Sequence, residues 1–154
     1  MSIAMILPEP PEYAEFLAPY PEATQVLARS LRNRLIELLP PCIETLWDAT
    51  NTVGMAYGFT EKNADHFLHL ASYTKYVNLG FSQGASLNDP EGRLQGTGAR
   101  IRHIKLTQVL DLEDPYLHRL IEGACALVVR SREVVEPRTL VRVMAGVKRR
   151  PQSS

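Results

Sequence analysis

Two adjacent prolines, Pro40 and Pro41, divide this chain into two regimes, and that break constrains the fold more than any other feature. Each proline fixes φ and removes a backbone donor, so a helix arriving from the N-terminal side must end there. Before the break, "PEATQVLARSLRNRLIELLPP" predicts a helix. Pro21 suits its first position, and Ala23, Val26, Leu27, Leu31, Leu35 and Leu38 recur at spacings of three and four. After the break the period changes. "CIETLWDATNTVGMAYGF" is rich in Thr, aromatic and small residues and has no continuous helical stripe. "HFLHLASYTKYVNLGF" reads as two short strands turning near Thr74 and Lys75. "SQGASLNDPEGRLQGTG" collects four glycines and the Asp89-Pro90 turn signal into a loop, and "ARIRHIKL" follows as a strand.

Helical periodicity returns once. In "DLEDPYLHRLIEGACALVVRS", Asp114 is the expected N-cap and Pro115 the first helical residue, with Leu117, Leu120, Ile121, Ala124 and Val128 on one face. "RTLVRVMAGV" reads as a last strand. This order, helix, run of strands, helix, strand, predicts an α+β two-layer domain: two main helices on one face of a mainly antiparallel sheet of about five strands. It spans residues 1–147, with a proline-rich arm at 1–20 and a basic, mobile tail at 148–154.

The chain of 154 residues has no net charge, but the signs are segregated. Residues 1–92 carry 5 Lys/Arg against 11 Asp/Glu, and residues 93–154 carry 12 against 6. A zero total argues against a dedicated nucleic-acid binder, while leaving room for an acidic and a basic patch on one molecule. The chain has no long apolar run for a membrane span, and "MSIAMILPEPPEY" lacks the basic start of a signal peptide, so a cytoplasmic protein is expected. Cys42 and Cys125, 83 positions apart, match no metal or redox spacing and read as two buried thiols rather than a disulfide.

Several motifs invite chemistry. "GFSQG", Gly80 to Gly84, satisfies the nucleophile-elbow pattern around Ser82, but the loop that follows cannot make the helix such an elbow requires. His66 and His69, three apart in a strand of period two, are expected on opposite faces and therefore not as a chelate. In "GTGARIRHIKL", Arg100 and Arg102 share one strand face and His103 and Lys105 the other, so no ligand can meet all four. Gly96 and Gly98 permit an anion nest, yet no helix start follows and the dinucleotide pattern is missing.

Residues 44–106 resemble the YdhG-like family of small bacterial proteins. The resemblance is carried by Trp47-Asp48 followed by Asn51, then "TEKNAD", an aromatic-lysine turn, "GASLNDPEG", "GTG" and "RHIKL". It extends loosely through the helix of 115–130 and the basic end. The family implies a frataxin-like two-layer fold, and one relative is regarded as an iron chaperone. By that resemblance iron would be the cargo and Glu12, Glu15, Glu22, Glu44 and Asp48 its carboxylates. Gly80 departs from the pattern, since many relatives carry an aromatic there.

The favoured reading is a binding or accessory domain rather than an enzyme. Its small-ligand or partner surface is expected at Asp48, Asn51, Arg102 and His103. An anion-ligand protein or enzyme using Arg102 and His103, and a homodimeric interaction module, are the alternatives.

Overall fold

The computed structural model describes residues 5–128 and 135–151. Within them the chain forms three α-helices, α1 (Pro11–Leu17), α2 (Glu22–Leu38) and α3 (Pro115–Ala126). The strands are β1 (Ile43–Asp48), β2 (Val53–Gly58), β3 (His66–Ser72), β4 (Val77–Phe81), β5 (Arg102–Leu106) and β6 (Arg138–Val143). They make one sheet in the order β5-β4-β3-β2-β1-β6, antiparallel from β1 to β5 and parallel where β6 joins β1. The fold is α+β. It has six strands rather than about five because 43–58 turns back on itself at Ala49–Thr52, where the Ala49 amide donates to the Thr52 carbonyl at 3.1 Å. The sheet is mixed because β6 returns from the far end of the chain to the open edge of β1. Among the described residues no helix is long and apolar enough to cross a membrane.

Register explains which side of the sheet is buried. Paired residues on neighbouring strands point to the same face, so Val141, Leu46, Met55, Leu70, Leu79 and Ile104 form one row across it. From Leu46 to Ile104 that row meets Leu31 and Leu35 of α2 and Leu117, Leu120 and Ile121 of α3 in the apolar core, while Val141 at the β6 edge is 42% exposed. The cap of α3 is the one the sequence predicts: Asp114 accepts from the Tyr116 amide at 2.9 Å, with Pro115 at the start. The part of that expected helix beyond residue 128 lies outside the described residues.

The buried face of α2 is rotated from the expected apolar stripe. Val26 is 59% exposed, whereas Thr24, Ala28, Leu31, Arg32, Leu35 and Ile36 are buried. Two of these are polar, and each has a partner. Thr24 donates to the Thr74 carbonyl at 2.5 Å, and Arg32 makes a two-pronged ion pair with Glu44 of β1 at 2.9 Å on both prongs. Glu44 also accepts from Tyr57 at 2.8 Å and Thr139 at 2.9 Å. One carboxylate thus joins α2, β1, β2 and β6 inside the core. Burial, reinforced by the Glu44 charge, holds the Tyr57 phenol well above its ordinary pKa, so it acts as a neutral donor.

The basic tail also differs from expectation. Lys148 donates to the Asp48 carbonyl at 2.9 Å, the Arg149 amide to Thr50 at 2.7 Å, and Arg150 pairs with the Asp48 carboxylate. Its described part is therefore tied to the β1–β2 turn rather than loose. Charge is the reason: the turn presents a carboxylate and several carbonyls, and the tail presents three cations.

Candidate functional site

Where the β1–β2 turn, the β3–β4 turn and residues 149–151 converge, they line an open cleft of about 630 Å3. Its wall is aromatic: Tyr73 and Tyr76 stack with centroids 5.2 Å apart, and Tyr20 closes the helix side. The other polar lining is cationic. Lys75, Lys105, Arg149 and Arg150 border the cleft, and none of its described lining residues is acidic. Lys105 is held by its contact with the Tyr76 ring, its Nζ lying 4.3 Å from the centroid. Arg150 is fixed by Asp48 and by the Ala49 carbonyl at 2.9 Å. Tyr20 donates to the Ser72 carbonyl at 3.1 Å, anchoring the end of β3. Burial raises the pKa values of Tyr20 and Tyr73, so both present neutral phenols.

The sheet face turned away from the helices carries a second hollow, of about 340 Å3. Its floor follows from register: Gly54, Ala56 and Ala71 place small residues on the central strands, with Ala56 and Ala71 buried among larger neighbours. Trp47, His66, His69 and Ser82 stand around it. His66 and His69 share this face, against the expectation from strand period. The register shifts at Tyr57/Gly58, so that His66 pairs with Gly58 and His69 with Ala56, with Phe67 as the extra residue of a bulge. The bulge turns a spacing of three into an effective spacing of two. Burial lowers the His69 pKa to about 4, with the His66 and His103 charges adding to the effect. His66 is lowered too, first by burial and then by Arg142. Both imidazoles are neutral near pH 7, each able to donate and to accept.

The "GFSQG" motif finds a different explanation here. A Cβ at Gly80 would lie 2.0 Å from Nε2 of His69, and one at Gly84 would lie 2.4 Å from Cβ of Arg102. Each glycine admits a neighbouring side chain. A single 3-10 turn, Gly84–Ser86, follows Ser82 instead of an α-helix, so the elbow geometry is not formed. Replacing Gly80 by alanine is expected to displace the His69 ring and to cost about 1–3 kcal/mol. Urea denaturation checks it: combining Gly80→Ala with His69→Ala should recover much of the loss, and no loss in the single variant would contradict the packing described.

The residues expected to form a ligand surface do not all meet. Asp48 and Asn51 belong to the end that holds the cleft: Asn51 lines it and Asp48 positions Arg150. Arg102 and His103 point to opposite faces, as strand geometry required. The Arg102 guanidinium donates to the carbonyls of Gly98 and of Ile101, the latter at 2.8 Å, and His103 exchanges two backbone bonds of 2.9 Å with Gln95. The glycine turn, with Gly96 at φ 123°, therefore turns carbonyls toward Arg102. Of the carboxylates considered for iron, Glu12, Glu15 and Glu22 lie on α1 and at the start of α2, Glu44 is fully buried in its ion pair, and Asp48 is engaged by Arg150. Among the described residues no three His, Cys, Asp or Glu side chains are grouped to hold a metal ion. The cleft's tyrosines and lysines escaped the sequence reading, although "YTKY" and the basic end carried the signal.

Comparison with protein-family models, with curated proteins and with solved structures gave no match.

Proposed function

We propose that this protein is a binding domain of YdhG-like type that takes a small anionic ligand in the tyrosine-walled cleft. The observation that carries this reading is the charge of the lining. Four cationic side chains border a concave site whose described lining has no carboxylate, and the nearby Asp48 is already paired with Arg150. Arg150 is compensated by Asp48, and the like charges of Lys75, Lys105 and Arg149 gathered at the cleft raise the local concentration of an anion. Tyr73 adds a neutral phenol and Tyr76 a ring on which Lys105 rests. The family assignment is supported by the motifs of residues 44–106. Iron delivery, the role of one relative, draws no support from a gathered carboxylate set.

Titration with inorganic phosphate and pyrophosphate, followed by calorimetry, tests the reading. Binding should weaken as salt rises. Lys105→Met and Arg149→Met should each reduce affinity roughly tenfold, the scale of one charge-assisted contact, while Lys105→Arg retains most of it. Equal affinity in the Met variants, or no saturation by either anion, would overturn it.

A further inference from the structure

The basic cleft and the histidine hollow adjoin each other. Tyr73 lines both of them. Ala49, a wall of the hollow, accepts a 2.9 Å hydrogen bond from Arg150, a wall of the cleft.

The two ends offer different chemistry. The cleft supplies positive charge. The hollow supplies a flat floor of Gly54, Ala56 and Ala71, the Trp47 indole at one side, and polar groups that are neutral near pH 7: His66, His69 and Ser82. A patch of small residues on pleated sheet beside an aromatic ring suits a planar molecule, and neutral donor-acceptor groups around it suit ring nitrogens and exocyclic oxygens or amines. Its volume, about 340 Å3, falls within the range of small-molecule pockets, about 300–1,000 Å3.

We infer that cleft and hollow are two ends of one site, whose ligand joins an anionic group to a flat, uncharged heteroaromatic ring, the chemistry of a nucleoside monophosphate. The inference rests on the anion-binding reading of the cleft and adds the ring end to it. Tyr73 stands between the charged end and the neutral one.

The experiment compares adenosine 5′-monophosphate with ribose 5-phosphate and inorganic phosphate on the full chain. Adenosine monophosphate is expected to bind at least tenfold more tightly than ribose 5-phosphate. Ala56→Leu, which fills the floor, should bring the nucleotide down to the level of ribose 5-phosphate and leave ribose 5-phosphate unchanged. Trp47→Ala, which removes a wall without adding volume, should do the same and serves if Ala56→Leu does not fold. Lys105→Met should weaken both ligands by the same factor. If ribose 5-phosphate and the nucleotide bind equally, or if both hollow variants preserve the difference, the two-ended site is overturned while the anion cleft stands. If phosphate and ribose 5-phosphate both fail to bind, the cleft reading falls and this inference falls with it.

Discussion

Replacing Arg32 by methionine is expected to destabilise the fold by about 3–5 kcal/mol, the largest effect of any single change considered. The cost comes from what is left behind. Glu44 is 0% exposed, so loss of the guanidinium strands a carboxylate that water cannot reach. Arg32 also donates to the Pro8 carbonyl at 3.2 Å, so the arm before α1 loses one of its ties at the same time, keeping the Glu9–Arg29 pair. Glu44→Leu should be comparably harmful, because it leaves the Arg32 charge buried and removes the acceptor of Tyr57 and Thr139. The double variant Arg32→Met/Glu44→Leu should lose less than the sum of the two, since it buries no lone charge. Urea denaturation of the four proteins in a double-mutant cycle measures this. Single losses below about 1 kcal/mol, or strict additivity, would refute the account.

The second large effect is a loss of stability on mild acidification that originates at His69. In the unfolded chain an imidazole titrates near 6.5, and in the fold burial holds His69 at about 4. Between those values the unfolded chain takes up a proton that the folded chain refuses, so stability falls as pH falls. The slope is at most about 1.4 kcal/mol per pH unit, and the whole contribution up to about 3 kcal/mol. His66, lowered by burial and by Arg142, acts in the same direction. Unfolding free energies at about pH 7 and about pH 5, taken for the parent and for His69→Gln, test it. The parent should lose more on acidification than the variant, and equal losses would show that His69 does not titrate as described.

Much of the architecture was legible because it rests on local rules. Pro40 and Pro41 ended α2 where they had to, Asp114 and Pro115 began α3, and Thr74 and Lys75 fell in the turn between β3 and β4. The errors share a cause. The buried stripe of α2 was misplaced because hydrophobicity alone cannot reveal that Arg32 is interior, which depends on a carboxylate 12 residues away on another element. The strand count fell short because "DATNT" has no glycine or proline to mark its turn. His66 and His69 were assigned to opposite faces because a bulge depends on the partner strand's register.

The candidate site was half legible. Asp48 and Asn51 lie at the end of the molecule that holds the cleft, whereas Arg102 and His103, expected with them on one surface, are split as period two requires. The cleft itself was not readable, since its walls come from residues 20, 51, 73–76, 105 and 149–151 and meet only when β1, β3 and β5 align in one sheet. By itself the sequence determined the class of fold, the helix boundaries set by proline and capping residues, and the faces of regular strands, because these depend on neighbours a few residues apart. Only the tertiary structure decided that Arg32 is a core residue, that two histidines share a face, and that the basic tail lines a cleft. Each depends on pairing between residues far apart in the chain, whose energy is set by burial and register rather than by local conformation.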